Sequence, residues 1–158
     1  MPFDPTQFLN TPSDPLPTTY EVIPEGEYKM LIDTDPKSLE VRKIEGVSKN
    51  TGEPYLFYQL EIACLVLDDK LKAKLGRDRV TARMRINLDF DDDGKLTNAP
   101  NRNVALGKLR DSLGQNKPGW TPQQLLGAGP FIGRVRHTAS KTNPEQKFAE
   151  VVAAAKIS

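Results

Sequence analysis

Apolar and polar residues alternate along most of this chain with a period of two, the signature of strands, and follow the helical period only in a few short stretches. Residues 27–33 place Tyr28, Met30 and Ile32 on one face and Lys29 and Leu31 on the other. Residues 39–47 are a second strand. Residues 55–67 are a long third, with Leu56, Tyr58, Leu60, Ile62, Cys64 and Val66 on the core face and Tyr55, Phe57, Gln59, Glu61 and Ala63 on the reverse. Residues 79–88 alternate most cleanly: Val80, Ala82, Met84, Ile86 and Leu88 oppose Arg79, Thr81, Arg83, Arg85 and Asn87. Residues 131–138 and 147–154 are two further strands, joined as a hairpin through 139–146.

Helices and turns fill the spaces between. DDKLKAKL, residues 68–75, reads as a short helix with Asp68 or Asp69 as N-cap and Gly76 as its stop. Residues 103–113 carry Val104, Leu106, Leu109 and Leu113 as one apolar stripe and end before Gly114. Thr121 and Pro122 open TPQQLL, with threonine as cap and proline at the first helical position. Lys49-Asn50-Thr51-Gly52-Glu53-Pro54 is a polar turn. Residues 1–19 hold five prolines and little periodicity, which predicts an extended or disordered arm ahead of a domain at 20–158. The whole predicts a mainly β fold with short helices, closed or partly closed as a barrel.

Composition narrows the function. The net charge of +1 hides an asymmetry: residues 1–36 carry seven acids and one base, the remainder 21 bases and 14 acids. A basic body favours polyanionic ligands. The single cysteine excludes an internal disulfide and fits a reducing compartment. The N-terminus lacks the basic and apolar regions of a signal peptide, and no apolar run has the roughly 20 residues that span a bilayer, so a cytoplasmic protein outside the membrane is expected.

No catalytic signature is legible. His137 is the only histidine, and Cys64 lies on an apolar strand face, which reads as a buried thiol. There is no G-x-S-x-G elbow and no phosphate-binding glycine loop. We therefore expect a binding protein, not an enzyme, with no cofactor and no metal. Residues 89–94 (DFDDDG) match the start of a calcium loop, but Pro100 stands where a bidentate Glu belongs, and the segment reads as a hairpin-like turn. Trp120 reads as an apolar anchor for its turn.

Nucleic acid is the polyanion these residues suit best. Arg79, Arg83 and Arg85 share a strand face, and arginines cannot be buried unpaired. Their guanidinium forks suit phosphate, and alternate strand residues lie about 6.5–7 Å apart, close to the spacing of phosphates along an extended strand. Glu61 or Glu45 could instead neutralise them across the sheet. Tyr55 and Phe57 on the neighbouring strand would offer rings for base stacking. Arg134, Arg136, Lys141 and Lys147 make the final hairpin basic, and Lys43 and Lys49 flank the earlier turn. The expectation is one continuous groove lined by Arg83, Arg85, Tyr55, Phe57 and Arg134.

Three segments carry a resemblance: Val22-Ile23-Pro24-Glu25-Gly26-Glu27-Tyr28, then Ser48 through Leu56 (SKNTGEPYL), then Gly133-Arg134-Val135. Over roughly residues 20–154 the chain resembles small phage-encoded single-stranded DNA-binding proteins with an OB fold. That resemblance implies an OB-like, five- to six-stranded antiparallel barrel with a helical insert (residues 101–129) between the fourth strand and the final hairpin. It implies a protein that coats single-stranded DNA in replication or recombination, in the host cytoplasm, with Tyr55 and Phe57 as stacking rings and Lys49 beside them. RNA is a second possible ligand; replication or recombination proteins, or further copies of the chain, are possible partners. Where such proteins often end in an acidic tail, this chain ends AAAKIS and is acidic at its N-terminus instead. The competing expectation is a viral structural or assembly protein acting through contacts of that N-terminal arm.

Overall fold

The computed structural model describes residues 2–140 and 142–157. Six strands and three short α-helices are present among the described residues, and from β1 onward they follow the order read from the sequence: α1 (Pro5–Leu9), β1 (Gly26–Ile32), β2 (Leu39–Val47), β3 (Pro54–Val66), α2 (Asp69–Leu75), β4 (Thr81–Leu88), α3 (Val104–Ser112), β5 (Phe131–Ala139) and β6 (Lys147–Ala155). TPQQLL forms a 3-10 turn over Pro122–Leu125, and the Thr121 hydroxyl makes no capping bond there. Asp68 does cap α2, accepting from the Leu71 amide at 3.1 Å, and Gly76 ends that helix at φ +65°. In the leader, Pro5–Leu9 is helical where an extended or disordered chain was expected, because Asp4 accepts from the Thr6 and Gln7 amides and proline opens the turn. No helix among the described residues is long and apolar enough to cross a membrane.

The strands form one mixed sheet, and five of them close into a ring. β1 pairs with β5, β5 with β6, β6 with β4, β4 with β3, and β3 with β1. All pairings are antiparallel except β4 with β6. The expected all-antiparallel sheet is therefore corrected to a mixed one. A parallel neighbour needs a long crossover, and α3, the 3-10 turn and β5 supply it. β2 lies outside the ring. It shares one edge of β3 with β1, end to end: β1 pairs with residues 64–66 of β3, and β2 with 54–62.

The interior is filled from the alternating faces. Phe131, Met30, Ile32, Ile62, Cys64, Val66 and Val135 are fully buried, and Leu109 of α3 and Leu125 of the 3-10 turn close the core from the insert. Gly133 makes room at the centre: a side-chain carbon there would lie 2.4 Å from the sulfur of Met30. The core face of β3 is shorter than alternation predicts. Leu60, Ile62, Cys64 and Val66 are buried, but Leu56 and Tyr58 are exposed, because the β2–β3 hairpin runs out past the ring.

Candidate nucleic-acid interface

The outward face of the sheet carries a row of alternating charge. Residues directly paired across a ladder share a face. Arg136 of β5 stands opposite Glu150 of β6, Glu150 opposite Arg83 of β4, and Arg85 opposite Glu61 of β3. Glu61 is buried, and it takes ion pairs from Arg83 and, at 2.9 Å, from Nε of Arg42. Arg85 lies 3.6 Å from Glu150. The alternative of cross-sheet neutralisation is thus built through Glu61. It is not built through Glu45, whose position on β2 faces the other way. Even so, the Arg83 and Arg85 side chains remain 61% and 47% exposed. The long Arg85–Glu150 pair, partly exposed on both sides, is worth about 0–1 kcal/mol, so a phosphate can compete for the Arg85 guanidinium.

Beside these arginines the face folds into a cleft of about 570 Å³. Thr81, Arg83 and Arg85 form its floor, Phe148 and Glu150 one wall, and residues 20–23 the other, with Arg77 at its end. The second wall is pinned in three ways. The Tyr20 amide donates to Gln146 Oε1 at 2.8 Å, His137 Nε2 donates to the Ile23 carbonyl at 2.7 Å, and the Ile23 side chain is buried. Tyr20 and Phe148 are 82% and 54% exposed as residues, and their rings stack on no other aromatic among the described residues.

The remaining predicted residues spread around this cleft. Tyr55 and Phe57 lie on the same outward face, but four residues or more beyond Glu61 along β3, about 13 Å at strand rise. They stack on each other at 6.1 Å, and the Tyr55 ring lies over Gly46, where a side-chain carbon would come within 2.6 Å of its hydroxyl. Lys49 is exposed in the turn beyond them. Lys43 belongs to the opposite face: it pairs with Tyr58 and lies 3.7 Å from Glu45. Arg134 is outward but tied to Glu27 at 3.1 Å, and Arg79 is paired with Asp33. Arg136 and Lys147 are exposed. Lys141 lies outside the described residues. The expected single groove is therefore corrected: of its five residues only Arg83 and Arg85 line the cleft, because a strand's twist and reach separate positions that alternation places on one face.

Sequence reading missed Tyr20, Arg77 and Phe148 in the cleft, and Arg42 beside Glu61. For Phe148 a signal existed. Counting back from the buried Val151 puts Glu150 and Phe148 outward. Tyr20 belongs to an irregular segment without any such period.

Burial alone would raise the Asp33 carboxyl, but the Asp35 amide, the Arg79 guanidinium and the Thr34 amide hold it below its ordinary value of 3.8. Burial pushes the Cys64 thiol up to about 12, as expected of a core cysteine, so it carries no thiolate at neutral pH. The 89–94 segment is a hairpin-like turn. Asp91 spends its carboxylate on the Asp93 and Lys95 amides at 2.9 and 3.0 Å, and Gly94 turns at φ +78°. Trp120 anchors its turn, donating to Gln115 Oε1 at 2.9 Å under the Arg110 guanidinium, 4.2 Å above the ring.

No family model matches the chain, and no curated protein or solved structure is significantly similar to it.

Proposed function

We propose that the chain binds single-stranded DNA without sequence preference, through the outward cleft between β4, β6 and residues 20–23. The observation that carries this reading is the meeting of Arg83, Arg85 and Arg77 with two unstacked, exposed rings, Tyr20 and Phe148, at one opening. Guanidinium groups track the backbone while bases stack on the rings.

The ring supports an OB-type barrel as the scaffold. With β2 set aside as an addition, the second and third ring strands are β3 and β4, and the fourth and fifth are β5 and β6. OB barrels bind oligonucleotides on the face of strands two and three and at the loop joining four and five. The cleft adjoins both places: Thr81, Arg83 and Arg85 of β4 line it, as do Gln146, the last residue of the β5–β6 loop, and Phe148, just inside β6. Together with the resemblance noted above, this reading makes the chain a non-enzymatic coat for exposed strands in replication or recombination of phage DNA.

Fluorescence anisotropy of a labelled oligo-dT tests it. Affinity should fall steeply with salt, with a slope of about −0.7 in log–log terms for each phosphate engaged. Absence of binding at low ionic strength overturns the reading.

A second reading rests on the arm. Phe3, Phe8 and Leu9 are all exposed, Phe3 and Phe8 touch at 5.6 Å, and α1 buries nothing. An assembly protein gripping other subunits through this arm would lose its oligomers when residues 1–19 are deleted, with or without DNA.

A further inference from the structure

Among the described residues, β2 lies outside the ring and has one edge unpaired along its whole length. Nine residues long, it pairs only with β3, and it leaves Val41 and Val47 59% and 63% exposed. Open edges invite a further strand. The orientation of its free backbone groups can be read from the turn: the Ser48 amide donates to the Glu53 carbonyl at 2.8 Å, so even-numbered residues face β3. Val41, Lys43, Glu45 and Val47 therefore present their N–H and C=O groups to the open side.

We infer that β2 pairs antiparallel with β2 of a second copy of this chain, about a twofold axis through Ile44. Side-chain complementarity fixes that register. With the axis at Ile44, Lys43 faces Glu45 of the second copy, Val41 faces Val47, Ile44 faces itself, and Arg42 faces Gly46, over which the Tyr55 ring lies. Each of these pairings occurs twice, except Ile44 at the axis. An axis at Lys43 sets that lysine against itself and Val41 against Glu45. An axis at Glu45 sets two carboxylates together and Lys43 against Val47. An axis at Arg42 opposes two guanidiniums. Only the Ile44 register joins opposite charges and covers both exposed valines. Its four hydrogen-bonded positions exchange about eight N–H···O bonds. Lys43, which the ligand face does not use, is thereby a dimer contact.

Charge reversal and cross-linking test this without disturbing the core. Wild-type protein should sediment as a dimer in the micromolar range without DNA. Lys43→Glu alone and Glu45→Lys alone each place like charges opposite one another twice, and each should weaken the dimer roughly tenfold or more. The double variant should return to within about threefold of wild type, since it restores opposite pairs. Ile44→Cys should form a disulfide dimer under mild oxidation, because its Cα atoms would meet at about 4.5 Å across the axis. Arg42→Cys, displaced along the strand from its own copy, should not. A monomer at the highest soluble concentration, a dimer indifferent to the reversals, a double variant as weak as the singles, or cross-linking at position 42 and not at 44 would each overturn the inference.

Discussion

Two places on the outward face bring aromatic side chains near basic ones, and they are built differently. At the hairpin end, Tyr55 and Phe57 stack on each other and Tyr55 lies over Gly46, so each ring is already engaged by a neighbour within the protein, although Tyr55 stays 45% exposed. In the cleft, Phe148 and Tyr20 are exposed and stack on no other aromatic among the described residues, and Arg83 and Arg85 line the same opening. Which face a residue occupies follows from alternation along one strand. Which neighbours it meets there depends on register and on segments from elsewhere in the chain. The cleft needs β4, β6 and residues 20–23 together, drawn from three distant parts of the sequence.

The largest expected effect separates the two places. Phe148→Ala should weaken oligo-dT binding by about 1–3 kcal/mol, or roughly 5- to 150-fold, the range for one lost base stack. A thermal melt of the same variant should stay close to wild type, because the ring is half exposed. Next comes Glu61→Gln. It removes the buried carboxylate that Arg42 and Arg83 share, so both guanidiniums turn to the ligand. Affinity should rise severalfold at low salt, and the salt slope should steepen by about 0.7 if one further phosphate is engaged. Unchanged affinity would show that those arginines do not meet the strand. Replacing Tyr55 and Phe57 together with alanine should change affinity by less than about threefold, well below one full stack. A loss as large as that of Phe148→Ala would move the site to the hairpin end.

The smallest effect concerns the ion pair at the head of β4. The folded-state carboxyl of Asp33 titrates below its ordinary value, so its contribution to stability is complete above about pH 4 and is lost as pH falls through the lowered value. Arg79 is largely exposed, so Arg79→Ala should cost at most about 1 kcal/mol at pH 7. In urea titrations across pH, the gap between variant and wild type should shrink toward zero as the solution is acidified through the lowered value.

Much of the fold is legible in the sequence because its strands are half buried. Arg79 to Leu88 alternates without a break, and Thr81–Leu88 is buried at every second position. The caps of α2 are legible too, since Asp68 and Gly76 act within one turn of the chain. What alternation cannot reveal is long-range. It does not show that β6 returns parallel to β4, a choice made by the crossover. It does not show where the core ends along β3, so Leu56 and Tyr58 look interior when they stand past the ring. Nearness to a turn does not give a face either: Lys43 and Lys49 flank the same turn, yet Lys43 lies opposite Tyr58, on the face away from Arg83 and Arg85. Arg83 and Arg85 were legible because three arginines on one face must reach solvent. Phe148 is masked by the alanines that follow it, and Tyr20 lies in the irregular stretch between α1 and β1, where no period marks a face.

The central claim is that a single strand lies in the cleft. Photo-cross-linking with oligo-dT carrying 5-bromodeoxyuridine, read by mass spectrometry of the tryptic peptides, tests it most directly. Binding in the cleft should give cross-links to Phe148 and Tyr20, suppressed by excess unlabelled oligo-dT. Cross-links confined to Tyr55 and Phe57, or none to the peptides of the cleft, would contradict it.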